Sequence, residues 1–308
     1  FKKDVAWVLS FLGESIGAGQ PELFVEFVSW LRNFLSSLHV PITDVAESFQ
    51  LIKKRLGESI TPVEYEVVSN LLDMGVKVLL APDERISLPA AGNNLSSFAD
   101  RYLAHLLKGE RNQAFEMVLK EVQGGMPVKE VYLQVFQPVQ YEIGRLWQSN
   151  RITVAQEHLC TAATQLLMSR LYPFMFTGER NNRKMVATCV PGELHEMGAR
   201  MVADFFEMEG WDTYYLGANM PIDGVVRYLV ETKPLFLAIS ATMTFHISQV
   251  EEMIKKIRAE SLIPANLKIM VGGYPFNIAV NLWKELGADG YAPGASEALQ
   301  VAGKLLTS

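Results

Sequence analysis

Cysteine is scarce: the 308 residues hold two, Cys160 and Cys189. One falls in an expected helix and the other in an expected buried strand, where a thiol acts as a small inert apolar group. This excludes a disulfide framework and suits a reducing compartment, so a cytoplasmic location is expected. Long apolar runs are also missing. None approaches the roughly 20 residues that span a bilayer, so no membrane partner is expected. There is no run of Lys and Arg, and the net charge is −6. A chain of that balance is not built to bind nucleic acid. Phe1 to Leu12 carries Lys2, Lys3 and Asp4 with no small-residue cleavage site after it, so this stretch is not expected to be a signal peptide. A chain that begins at Phe1 is expected to have been trimmed. P-loop, kinase and zinc-cluster motifs are absent, so no catalytic constellation independent of a cofactor is expected, and the chain reads as a non-enzyme. No repeat or low-complexity segment is evident. Charged residues make up 20% of the chain, an ordinary globular share, and the length predicts two or three domains.

What is present reads as three domains. Residues 1–80 form an N-terminal helical domain of four expected helices: Lys3 to Ile16, Pro21 to about His39, Thr43 to Leu56, and Pro62 to Leu80. Gly17-Ala18-Gly19 and Gly57 are stop signals, and Thr61-Pro62-Val63-Glu64 is a capping box. This segment is rich in aromatics, among them Trp7, Phe11, Phe24, Phe27, Trp30, Phe34, Phe49 and Tyr65. A helical core with an interface face is the commoner meaning of such a stripe; a pocket for a large flat pigment is the sharper one. Residues 81–94, with Pro82, Pro89, Gly92 and paired Asn, read as a linker. Residues 95–173 read as a four-helix bundle. Its helices are Ser96 to Lys108, Glu110 to Gln123, Pro127 to Gln148 with a kink at Pro138, and one opening on the capping box Thr153-Val154-Ala155-Gln156. Residues 174–183 form a second linker.

From 184 to 308 the period changes. Strands are expected at Met185–Val190, Asp212–Leu216, Leu235–Ser240, Leu267–Val271 and Asp289–Tyr291. Helices are expected at Glu196–Met208, Ile222–Glu231, Ser248–Ala259, Phe276–Leu286 and Ser296–Leu306. Alternation of this kind predicts a doubly wound, flavodoxin-like α/β domain with a five-stranded parallel sheet. The fold class is therefore α/β plus all-α.

Ligands bind such sheets at the carboxyl ends of their strands. Three loops stand out there: Glu193-Leu194-His195-Glu196-Met197-Gly198, Ser240-Ala241-Thr242, and Gly272-Gly273. A neutral imidazole at that edge is a natural metal ligand, and Glu193 can orient it through the other ring nitrogen. Alone, His195 reads more readily as a loop His that merely caps a helix. With Ser240 and Thr242 as hydroxyl donors and two glycines that let a bulky group lie on the backbone, one crevice is expected. In the bundle, Trp147 ends the third helix, and Glu157 and His158 lie one turn into the fourth. Four residues of helix is roughly 6 Å, so the three can meet at one end of the bundle. On spacing alone, a buried Trp beside a surface Glu-His pair explains them as well.

The ordered motifs of residues 184–306 resemble the cobalamin-binding domain of the base-off, His-on type. That resemblance implies cobalamin as cofactor, with His195 as lower axial ligand of cobalt and Glu193, where many members have Asp, as its orienting partner. It implies that Ser240 bonds the displaced benzimidazole, that Gly272 and Gly273 line the tail slot, and that Gly198 and Thr242 belong to the same motifs. Trp, nine residues, then Glu-His is similar to the cap of CarH-type light-sensing cobalamin proteins. This implies adenosylcobalamin, with Trp147 over the upper face, Glu157 and His158 on the adenosyl group, and light cleaving the cobalt–carbon bond. Gln148 stands where some members carry a second cobalt-ligating His, which removes that route of re-ligation. Residues 1–80 lack a basic recognition helix and resemble instead the extra helical domain of the photocobilins. A bilin such as biliverdin is then a second chromophore, with Trp30, Arg32, His39 and Tyr65 as candidate contacts. The implied partners are further copies of the chain, in a light- and cobalamin-dependent homo-oligomer, and an output domain or protein, attached or separate. The rival function is a corrinoid protein that carries methyl groups in a methyltransferase system. A mutase subunit lacks its catalytic barrel.

Overall fold

A computed structural model of the protein describes residues 2–81, 96–175 and 179–307. The expected linker at 81–94 therefore lies almost wholly outside the described residues, and the one at 174–183 does in part. In chain order the helices begin with α1 (Lys2–Gly17), α2 (Pro21–Ser37), α3 (Ile42–Gly57) and α4 (Pro62–Leu80). Next come α5 (Ser96–Leu107), α6 (Arg111–Gln123), α7 (Val128–Val131), α8 (Gln137–Gln148) and α9 (Val154–Leu171). The last third holds β1 (Lys184–Cys189), α10 (Met197–Met208), β2 (Asp212–Gly217), α11 (Ile222–Thr232), β3 (Phe236–Ser240) and α12 (Ile247–Ala259). It ends with β4 (Lys268–Gly272), α13 (Tyr274–Ile278), α14 (Leu282–Glu285), β5 (Gly290–Tyr291) and α15 (Ala295–Thr307). Among the described residues, no helix is long and apolar enough to cross a membrane.

Contacts divide the chain into two compact units. One comprises Phe1–Val28, Phe49–Val78 and Gly178–Ser308, and the other Ser29–Ser48 and Leu79–Thr177. The segment 1–80, expected as one domain, thus contributes to both.

The first unit is built on a five-stranded sheet of order β2-β1-β3-β4-β5, parallel throughout. Its strands are apolar on both sides because helices cover both faces. Val186, Ile239 and Val271 pack with Val225 and Leu229 of α11 and Val250, Met253 and Ile254 of α12. The alternate residues Met185, Ala187, Ala238 and Met270 pack with Phe206 of α10 and Ala298 and Ala302 of α15. The strand order reverses between β1 and β3, the position at which such sheets bind ligands. There the register aligns Cys189, Ser240 and Gly272 across three adjacent strands. Leu23 of α2 is fully buried in the sheet's core, and Lys53 of α3 pairs with Asp73 of α4 at 2.7 Å.

One expected helix of this unit is corrected. Phe276–Leu286 is broken into α13 and α14, because Ala279 leaves helical geometry at φ −95°, ψ 79°. The break lets Phe276, Ala279 and Leu282 all enter the core.

The second unit holds the bundle. Tyr102, Phe115, Tyr132, Phe136 and Leu167 are buried at its centre. The expected helix from Pro127 to Gln148 runs without a gap from Val128 to Gln148, but it is not α-helical throughout. Between α7 and α8, Tyr132–Phe136 widens into a π-helical turn. Pro138 follows at once, and its missing N–H and bulky ring leave the preceding turn without a normal α bond, which a wider turn absorbs. The Thr153 capping box forms in both directions: Gln156 N donates to Thr153 Oγ1 at 3.3 Å and Thr153 N to Gln156 Oε1 at 3.0 Å.

Candidate functional site

In the sheet unit, the loop from β1 to α10 turns at Pro191-Gly192. Gly192 has φ +81°, a region open mainly to glycine, and the turn closes with Glu193 N donating to Val190 O at 3.1 Å. Asn219, after β2, fixes the loop from outside: its Oδ1 accepts from Gly192 N at 2.7 Å, and its N donates to Glu193 O at 2.9 Å.

Glu193 is fully buried. Its Oε1 accepts from His195 N at 2.9 Å and lies 2.6 Å from His195 Nδ1. Its Oε2 accepts from Thr242 N at 2.7 Å and Met243 N at 3.0 Å, and lies 3.1 Å from His246 Nδ1. Burial alone would raise its pKa, but the hydrogen bonds from His195, His246 and the backbone outweigh burial and hold the carboxyl well below the usual range. Glu193 is thus an ionised buried carboxylate. The His195 side chain is 60% exposed. With Nδ1 turned to the carboxylate, Nε2 is the nitrogen a metal would take, and the negative charge behind the ring raises its basicity.

The neighbouring positions complete the edge. Thr242 reaches Glu193 with its backbone N–H. Ser240 ends β3 beside Gly272. Gly273 has φ +112°, and a Cβ on it would stand 2.0 Å from the Ala241 carbonyl oxygen. That glycine is therefore required by the close approach of two loops of the chain itself. Gly198 is different, since a Cβ there would meet nothing within 4 Å. Cys189, behind the loop, is buried, and its thiol is pushed up to about 12 by burial and then by the charges of Glu193 and Glu196. Glu196 itself holds the end of β2, accepting from Tyr215 OH at 2.9 Å and Ala218 N at 3.0 Å.

In the bundle unit, Trp147 is half-buried at the end of α8. Its ring neighbours are Trp30 at 6.1 Å and Phe34 at 5.6 Å, both from the later part of α2. Gln148 donates from Nε2 to Trp30 O at 3.1 Å and accepts at its own carbonyl from Ser37 Oγ at 3.0 Å. Glu157 and His158 pair through Oε2 and Nδ1. Behind them runs a polar chain that the sequence did not signal. Thr161 Oγ1 lies 3.2 Å from Glu157 Oε1 and 2.9 Å from Gln140 Oε1. Gln140 Nε2 donates to Thr164 Oγ1 at 3.0 Å, which is also 3.0 Å from the buried Tyr102 hydroxyl. Of the four residues suggested for a bilin, Trp30, Arg32 and His39 belong to this unit and Tyr65 to the other.

Two family models, each described as a B12 binding domain, match the chain at residues 183–300 and 98–172. The chain carries a cobalamin-binding module. His195, Ser240, Thr242, Gly272 and Gly273 fall in the first matched segment, and Trp147, Glu157 and His158 in the second. Neither match reaches residues 1–80. The module is similar to the HTH-type transcriptional repressor CarH of Myxococcus xanthus, at 29% identity over 157 residues, 51% of each chain. It is also similar to dimethylamine corrinoid protein 1 of Methanosarcina acetivorans, at 27% over 168 residues, 54% of this chain and 77% of that one. The chain thus spans about half the length of the repressor it matches. The structure of the monomethylamine corrinoid protein of Methanosarcina barkeri aligns with a TM-score of 0.61 at 20% identity, covering 70% of this chain and all of that one, a likeness of fold. The donor set fits a corrin at its lower face: one exposed imidazole, its far nitrogen held by a buried charge, at the sheet's switch point.

The sequence missed His246. It lies in the 3-10 turn Thr244–His246 between β3 and α12, at the same edge of the sheet. A search of every loop at that edge for groups able to meet Glu193 would have found it.

Proposed function

We propose that this chain is the sensory part of a light-responsive protein that binds adenosylcobalamin through His195. The observation that carries the reading is the ordered Glu157–His158 pair in the first turns of α9, together with Trp147 at the end of α8. These are the side chains that the resemblance assigns to the upper ligand. When bound, the cofactor supplies a cobalt–carbon bond that light breaks. The chain's own part is to hold the His195 ring with Glu193, to offer Ser240 to the displaced benzimidazole, and to present Glu157 and His158 to the adenosyl group. Loss of an upper ligand there would leave the pair without its partner and would bear on the packing of Trp147 with Trp30 and Phe34. Assembly of further copies, and an output domain or partner, would follow from that change. A bilin such as biliverdin in the N-terminal helices is part of the same reading.

The corrinoid-protein relatives favour a second reading, a carrier of methyl groups. One experiment separates the two. The purified chain is loaded with adenosylcobalamin or methylcobalamin and exposed to green light. The sensor reading expects tighter binding of the adenosyl form, a light-driven change in the corrin spectrum and a shift in oligomeric state. Unchanged spectra and mass in the light, with methyl transfer from the methyl form to a thiol acceptor, would sink it. An added long-wavelength absorption band on incubation with biliverdin tests the second chromophore.

A further inference from the structure

His246 sits between the lower-ligand loop and the N-terminal helix α1. Glu193 Oε2 takes two backbone donors, Thr242 N and Met243 N, and beyond these His246 Nδ1 at 3.1 Å. Among the described residues, His246 supplies the one side-chain donor to Glu193 besides His195. It is 8% exposed, and the absence of a side chain at Gly192 makes room for it, since a Cβ there would stand 2.9 Å from Nε2.

The turn that carries His246 is gripped on both sides by α1. Before it, Phe245 meets the His246 ring edge-on at 4.5 Å and the buried Phe11 ring edge-on at 5.3 Å. Phe11 stacks in turn on Phe27, and Trp7 lies 6.5 Å from Phe245. After it, Glu14 accepts from Ser248 N at 3.0 Å and from Ser248 Oγ at 2.7 Å, capping the start of α12. An anion there satisfies donors that a helix start leaves unmet.

We propose that His246 is a positioning residue for the lower axial ligand, and that through it helix α1 is coupled to the bond between His195 and cobalt. The chain of contact is continuous: α1 to Phe245 and Ser248, the turn to His246, His246 to Glu193, and Glu193 to His195. Motion of α1 that shifts the turn moves the carboxylate that sets the direction of the His195 ring. The N-terminal helices then act on the corrin from below. The proposal rests on His195 being the cobalt ligand.

The test uses the full chain labelled with 15N-histidine and loaded with cobalamin reduced to the cobalt(II) state. Electron paramagnetic resonance reports the axial nitrogen: a doublet from labelled His, a triplet from the cofactor's own unlabelled base. Wild type is expected to give the doublet. His246→Phe should weaken cobalamin binding about 10- to 100-fold, the usual effect of losing a group that orients a metal-bound His, with triplet or base-free signal replacing the doublet. His246→Gln, which keeps an N–H donor, should restore the doublet. Glu14→Ala should lower the doublet fraction with an affinity loss of about 2- to 5-fold, as for one exposed charged contact. A wild-type doublet and affinity in His246→Phe overturns the positioning role. A doublet unchanged by Glu14→Ala overturns the coupling to α1, and this variant decides the matter if His246→Phe does not fold. Absence of a doublet in wild type, or its survival in His195→Ala, counts instead against the cobalamin reading itself.

Discussion

At the scale of single residues, Glu193 governs the site. A fully buried carboxylate is tolerated because five donors surround it, two from side chains and three from backbone. Its ordinary pKa is 4.5, and in the fold it is held well below that. A depressed carboxylate stabilises the folded state above its ordinary value, and this contribution drains away as pH falls toward the folded value. The stability of wild type, measured by urea unfolding, should therefore fall more steeply between about pH 5 and pH 3 than that of Glu193→Gln. At neutral pH the substitution should cost about 2–3 kcal/mol, because amide protons replace an acceptor facing backbone donors. Equal slopes in the two proteins would show that the charge is not stabilised as its contacts imply. The pairing of Glu193 with His195 was legible, since two residues of spacing suffice. The contact with His246 spans 53 positions. It depends on how β1 and β3 lie side by side, which no local pattern records.

At the scale of elements, the sequence was read most accurately where a chemical stop or start exists. The helix that carries Glu157 and His158 begins where Thr153 and Gln156 cap each other. Thr153→Ala should destabilise the protein by about 1 kcal/mol, the usual worth of such a cap. Chemical denaturation read by far-UV circular dichroism measures it, and a midpoint equal to wild type would mean that packing alone sets the start of α9. The five strands fall within a residue or so of their expected ends, because an apolar run bounded by Gly, Pro or Asn has few alternatives. The departures have a different cause. Apolar spacing shows which side chains are buried and not whether the backbone stays helical between them. Hence one expected helix became α13 and α14, and another acquired a π-helical turn before Pro138.

At the scale of the whole molecule, the helices of the N-terminal segment were legible and their allegiance was not. Amphipathic spacing in α2 marks Leu23, Phe24 and Phe27 for burial, but leaves the partner unnamed. Contacts assign these residues to the sheet unit and Trp30 and Phe34 to the bundle unit. A ligand held by His195 adds stability by mass action to whatever unfolds with its site. At about a hundredfold excess over its dissociation constant this is about 2.7 kcal/mol. Calorimetry should show that increment on adding cobalamin to wild type, and none with His195→Ala. A stabilisation that persists in the variant would place the binding energy elsewhere.

The cap that Glu14 provides for α12 has a further consequence, which concerns synthesis. Its two partners are 234 positions apart. At about 5–20 residues per second, the ribosome needs on the order of 10–50 seconds to deliver Ser248 after Glu14 has emerged. For that interval Val8, Phe11 and Leu12, all buried in the finished protein, lie on a helix whose partners, the Thr244–His246 turn and α12, do not yet exist. Helix α1 is thus made long before its partner, and a nascent chain paused before residue 248 would present those side chains to chaperones.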